Sequence, residues 1–182
     1  MSPEVVGMSG ERVLDLRKAD PKLREVVRSI PGAERLTACF VCFTCSSDCP
    51  VSRRTEEFRP HLIIRLAVMG FKERLFSGDV LWLCLGCFNC VEHCPQQVKP
   101  TEVIEALRSL AVREGRFHPS LKAKIEPIFE FGRMYEITEF EDEIREGYGL
   151  PPVPSVKVEE LRELLKALGV AELLGLGPGG GA

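Results

Sequence analysis

No cysteine stands before Cys39 or after Cys94 in this 182-residue chain. The eight that are present crowd into two runs, unlike the scattered cysteines of a secreted, disulfide-held domain. Long apolar runs are absent too. The most apolar stretch, Leu62 to Phe71, is interrupted by Arg65 and falls far short of the roughly 20 apolar residues a spanning helix needs. No direct membrane span is expected. Nor is there an excess of basic charge: the net charge is -3, which gives no electrostatic ground for binding nucleic acid. Met1 to Asp20 lacks the basic start and apolar run of a secretory signal, so a cytoplasmic location is expected. What remains is ordinary, 45% hydrophobic and 28% charged, enough for one compact domain with a docking tail.

The informative feature is an internal repeat. Cys39-Phe40-Val41-Cys42-Phe43-Thr44-Cys45-Ser46-Ser47-Asp48-Cys49-Pro50 aligns with Cys84-Leu85-Gly86-Cys87-Phe88-Asn89-Cys90-Val91-Glu92-His93-Cys94-Pro95. All four cysteines, the proline and one phenylalanine (Phe43, Phe88) coincide.

The chain around the runs reads as helices. Asp20-Pro21 caps a helix carrying Leu23, Val26, Val27 and Ile30 on one face, with Gly32 as its stop. Pro60 opens a second, which bears Leu62, Ile63, Leu66, Ala67 and Met69 and ends at Gly70. A short helix covers Lys72 to Phe76. Thr101 caps another that runs to Gly115, and Pro119 opens a stretch disturbed at Pro127. From Glu126 to Glu146 eight acidic residues face two basic ones. Gly149 to Pro154 is a stiff connector. After it, Leu161, Leu164, Leu165 and Leu168 line one face of an amphipathic helix, which docks on a partner or folds back on its own domain. The Gly-rich end from Gly175 is expected to lack order. The fold class predicted is all-α. Residues 1–19 form an extension, 20–120 the domain with both cysteine runs, 121–148 an acidic helical extension, and 149–182 the linker, docking helix and tail.

Each run has the form Cys-x2-Cys-x2-Cys-x3-Cys-Pro. A cubane cluster needs four thiolates at the corners of a small cube. Two-residue gaps let one tight loop supply three of them, while the fourth cysteine, after a longer gap, points away. In two-cluster ferredoxins it ligates the other cluster, and proline follows it. The spacing therefore predicts two [4Fe–4S] clusters, one on Cys39, Cys42, Cys45 and Cys94, the other on Cys84, Cys87, Cys90 and Cys49. Zinc sites use paired Cys-x2-Cys or add histidine, and fit this pattern poorly.

Other candidates are weaker. Phe40, Phe43, Phe88, Leu81, Trp82 and Leu83 either shield the clusters or are simply core. His93, inside the second run, either tunes a cluster or fills a loop; His61 and His118 have no ligand-like spacing. Arg53, Arg54, Arg59, Arg65, Lys72 and Arg74 face an acidic partner or water. The string Gly175-Leu176-Gly177-Pro178-Gly179-Gly180 matches GxGxxG, but no strand precedes it and no helix can follow, so it is not a nucleotide site. With no flavin or nicotinamide fingerprint, no acid–base pair and no spare thiol, a catalytic site is not in view. The chemistry indicated is electron relay.

From Pro21 to Pro119 the sequence resembles the C subunit of heterodisulfide reductase. Both cysteine runs carry the likeness, together with Arg59-Pro60…Ile64-Arg65…Gly70…Ser77…Leu81-Trp82-x-Cys84. The family pattern often has glycine after the second cysteine of the first run, where Phe43 stands here. The resemblance implies an α-helical ferredoxin fold, with the eight cysteines ligating two [4Fe–4S] clusters. It also implies a place in a hetero-oligomeric complex, between the flavin-bearing A subunit of such enzymes and their B subunit, whose CCG-type motifs act on a disulfide. This chain has no CCG motif. Two alternatives are the iron–sulfur subunit of a quinone-linked succinate or glycolate oxidoreductase, and a non-redox binding module with structural metal. The missing plant-type ferredoxin domain weighs against the succinate type.

Overall fold

The computed structural model describes residues 14–176, and among them only helices, turns and loops occur. Ten α-helices follow in order: α1 (Leu23–Arg28), α2 (Thr44–Ser47), α3 (Pro60–Met69), α4 (Lys72–Phe76), α5 (Asn89–Glu92), α6 (Pro100–Arg113), α7 (Pro119–Phe131), α8 (Glu139–Gly147), α9 (Val158–Ala167) and α10 (Val170–Leu174). None is long and apolar enough to cross a membrane. The chain divides into two compact units between Phe117 and His118. The acidic stretch and the leucine-bearing helix therefore fall in one unit.

The first unit is built on α1, α3 and α6, each of which packs against the other two. The buried positions of α3 include Pro60, Ile63, Ile64 and Ala67, and those of α6 include Pro100, Val103, Ile104, Leu107 and Ala111. That i, i+3, i+4, i+7 spacing puts one stripe of each helix in the core. Ile63 and Leu107, with no exposed surface, each contribute about 1.5–3 kcal/mol relative to an exposed position. Phe58, Leu36, Leu75 and Leu81 close the core from the connecting segments.

Proline and glycine set the boundaries. Both long helices of this unit begin with proline at the first position, where a missing N–H costs nothing. α3 stops at Gly70, which turns left-handed (φ 85). Its carbonyl accepts the Asp20 N–H at 2.7 Å, and a Cβ on Gly70 would lie 2.2 Å from the Asp20 carbonyl oxygen. Only glycine fits there.

Some expectations need correction. α1 ends at Arg28, short of Gly32, because Pro31 disfavours helical geometry at Ile30. Its Val26 is 43% exposed, and so is much of Leu62 on α3, since the buried stripes run through Leu23–Val27 and Ile63–Ile64. Thr101 is not the cap of α6: Lys99 occupies that place in a left-handed conformation, and Thr101 lies inside the first turn.

In the second unit α9 returns onto α7. Arg162 donates from Nε to the Phe129 carbonyl (2.8 Å) and from Nη2 to that of Glu130 (2.9 Å), pairing carbonyls that end α7. Leu161 and Leu165 are half-buried, whereas Leu164 and Leu168 face outward. The connector is tied to α8, with Val153 N–H on Asp142 (2.9 Å) and Arg145 on the Pro151 carbonyl (2.9 Å). Gly177 to Gly180, part of the GxGxxG string, and most of the glycine-rich end lie outside the described residues, as does much of the N-terminal extension.

Candidate metal centre

The two cysteine runs fold alike. Cys39 follows a 3-10 turn at Leu36–Ala38 and Cys84 follows one at Val80–Leu83. Val41 (φ 61) and Phe43 (φ 68) then turn left-handed, and at the same repeat positions so do Gly86 (φ 66) and Phe88 (φ 62). These reversals bend the loop around an inner space before the one-turn helices α2 and α5 begin. A left-handed non-glycine residue costs about 1–2 kcal/mol. Phe43 thus holds the conformation that the family's glycine would adopt freely.

The structural repeat extends beyond the cysteine runs. Pro60-His61-x-Ile63-Ile64 opens α3 as Pro100-Thr101-x-Val103-Ile104 opens α6, offset by 40 residues, against 45 between the cysteines. α2 packs on α3, α5 on α6, and α2 on α5. Two matching recesses result. Cys39, Cys42, Cys45 and Cys94 line the first, beside His61 and Ile64. Cys84, Cys87, Cys90 and Cys49 line the second, beside Thr101 and Ile104. Each run sends its fourth cysteine to the other's recess.

The donor chemistry fits a polynuclear iron–sulfur group. Each recess is lined by four cysteines, the all-sulfur donor set that a [4Fe–4S] group takes.

Burial pushes the Cys45 thiol up to about 12, helped by the nearby Cys90 and Cys39. Burial likewise raises Cys84, against the pull of the Gly86 N–H and of Arg108, and raises Cys90 against hydrogen bonds from Thr101. The exposed Cys42 is shifted down, chiefly by the Thr44 hydroxyl, 3.3 Å from its sulfur. Thiols disfavoured as free thiolates inside a recess become stable anions once metal charge sits against them.

Several residues overlooked in the sequence stand at these recesses. His61 is buried; its Nδ1 lies 2.6 Å from the Ser46 hydroxyl, which also accepts the His61 N–H (3.2 Å). Its ring packs against Phe43 with centroids 4.2 Å apart. Thr101 Oγ1 lies 3.1 Å from Cys90 Sγ. Arg108 donates to the carbonyls of Leu81 (2.8 Å) and Cys84 (2.9 Å), fixing the entry to the second loop. His93 bridges to Asp48 at 2.7 Å, linking the loops near the surface. His118 closes a local turn with Ser120. Of the basic residues, Arg59 holds the Ser52 carbonyl and Lys72 pairs with Glu114, so both serve the fold. The apolar groups do not all enclose the sulfurs: Leu81 is buried, but Phe40, Phe43 and Phe88 are exposed. Phe43 and Phe88 sit on the left-handed reversals.

Residues 35–98 match the model of the 4Fe-4S dicluster domain. Over nearly its whole length the chain is similar to the C subunit of the H(2):CoB-CoM heterodisulfide,ferredoxin reductase of Methanothermobacter thermautotrophicus. The two are 32% identical, and 91% of each chain is covered. It belongs to the family of heterodisulfide reductase C subunits. Other members of that family are alike in extent. The protein of Archaeoglobus profundus that is named as like the heterodisulfide reductase C subunit is 30% identical, with 94% of this chain and 93% of the relative covered. The C subunit of the ferredoxin:CoB-CoM heterodisulfide reductase of Methanosarcina mazei is 35% identical over 75% of this chain and 87% of its own. As a member of this family, the chain has the α-helical ferredoxin fold and is an iron–sulfur subunit with a role in electron transfer.

Proposed function

We propose that the chain is the electron relay of a heterodisulfide reductase-type complex, with one [4Fe–4S] cluster on Cys39, Cys42, Cys45 and Cys94 and another on Cys84, Cys87, Cys90 and Cys49. The observation that carries this is the exchange of Cys49 and Cys94 between the two recesses. When bound, such clusters accept and release single electrons. The chain's own residues keep the two sites adjacent, since Cys45 and Cys90 lie on packed helices and Cys90 raises the energy of the Cys45 anion. The left-handed turns at Phe43 and Phe88 bend each loop around its recess, and Arg108 anchors the second loop.

The partners follow from the family: a flavoprotein like its A subunit and a CCG-motif protein like its B subunit, in a cytoplasmic hetero-oligomer. Phe40 (58% exposed) and Leu85 (72%), at equivalent places on the two loops, give each recess an apolar rim. Exposed apolar groups beside a redox site suit close approach by another protein. Anaerobic affinity purification of the chain from its native cells tests the reading. Recovery of a flavoprotein and a CCG-containing protein supports it; recovery of a membrane quinone-binding partner instead defeats it.

A further inference from the structure

The two recesses are alike in backbone, and among the equivalent residues at which they differ one pair is buried beside the cysteines. In the first turn of α3 stands His61, and in the first turn of α6 stands Thr101; both are buried. His61 turns its Nδ1 and its N–H to the Ser46 hydroxyl. Thr101 instead faces a sulfur, with Oγ1 3.1 Å from Cys90 Sγ. Burial of Thr101 (1% exposed) and Cys90 (7% exposed) keeps water from replacing that bond.

We propose that Thr101 sets the reduction potential of the cluster held by the second recess, holding it up by hydrogen-bonding Cys90, and that in the first recess His61 competes for the Ser46 hydroxyl that reaches Cys45, the equivalent sulfur. This rests on the proposed ligation of two clusters by the eight cysteines. A metal-bound cysteine sulfur carries no proton, so the hydroxyl must donate and the sulfur accept. Reduction adds negative charge to the cluster and its sulfurs. A donor on sulfur is therefore worth more in the reduced state, and the potential rises. The effect is largest in a low-dielectric site.

The first recess has hydroxyls of its own, but in other settings. Thr44 approaches Cys42 at 3.3 Å, and Cys42 is exposed. Water can take over as donor there, so the net value of the bond is small. The buried Ser46 hydroxyl reaches Cys45, the repeat partner of Cys90, but it also lies 2.6 Å from His61 Nδ1 and accepts the His61 N–H. The partner of Thr101 is His61, so the hydroxyl at Cys45 is shared with a ring nitrogen where the one at Cys90 faces the sulfur. Arg108, its side chain 16% exposed, adds positive charge beside Cys84, partly offset by Glu105 at 2.6 Å. The pair is built unequal, and the dry bond draws the electron toward the second cluster.

The test is an anaerobic redox titration of the full chain carrying both clusters, followed by electron paramagnetic resonance. Thr101→Val removes the hydroxyl and keeps the shape. It is expected to move one of the two reduction steps to lower potential and leave the other in place. Thr101→Ser is expected to restore the wild-type step, and Thr44→Val to act weakly on the other step. If Thr101→Val fails to retain full iron, Thr101→Ala is titrated in its place with the same expectation. Both steps unmoved, both moved together, or Thr44→Val and Thr101→Val acting on the same step would each overturn the proposal while leaving the clusters intact. A wild-type chain with no reducible centre would instead remove the cluster reading itself.

Discussion

Asp48 Oδ2 lies 2.7 Å from His93 Nδ1, and each residue immediately precedes the fourth cysteine of its run. The contact joins the two places where the chain crosses from one recess to the other. Arg53, 3.8 Å from the other Asp48 oxygen, adds to it. His93 therefore spends its Nδ1 on a carboxylate of the opposite loop rather than on a sulfur.

Because the side chain of His93 is 59% exposed, the bridge is a surface polar contact, worth up to about 1 kcal/mol. His93→Ala and Asp48→Ala are each expected to lower unfolding stability by no more than that, with iron content and cluster signals unchanged. Loss of a cluster from either variant would give His93 a role beyond joining loops.

Phe43 stands left-handed, in a conformation that glycine adopts freely. Phe43→Gly exchanges the relief of strain against the lost ring contact with His61, so stability should change by less than about 1 kcal/mol. Phe43→Val places a β-branched residue in the same conformation and should cost about 1–2 kcal/mol more. Anaerobic thermal unfolding of the loaded protein compares the three. A valine variant as stable as the glycine one would contradict a left-handed backbone at this position.

Gly70 joins the end of α3 to Asp20 so closely that a methyl group overlaps backbone. Gly70→Ala combines a left-handed penalty of about 1–2 kcal/mol with an overpacking penalty of about 1–3 kcal/mol. Denaturant unfolding should show a total loss of about 2–5 kcal/mol. A loss under about 1 kcal/mol would mean that the two segments do not meet.

How much of this was legible in the sequence depended on distance along the chain. The cysteine runs and the helices at Pro60–Met69 and Lys72–Phe76 could be read because their signals are local: spacing, proline at the start, glycine at the end. α2 and α5, four residues each, are too short to show a period. The roles of His61, Thr101 and Arg108 stayed hidden because their partners lie 15, 11 and up to 27 residues away. Thr101 looked like a cap because threonine before an apolar stripe usually is one. The Pro60/Pro100 correspondence was obscured by a shorter offset than that of the cysteines. Alignment of the repeats on their prolines would have exposed it.

Exchange of the fourth cysteines is the arrangement on which the relay depends, and it is tested most directly by comparing three variants. Cys42→Ser and Cys87→Ser each alter an unexchanged corner, of the first and second recess respectively. The reduced-state resonance spectrum of Cys49→Ser should match that of Cys87→Ser, although Cys49 belongs to the first run. A spectrum matching Cys42→Ser would show that each run keeps its own four sulfurs, and would contradict the exchange.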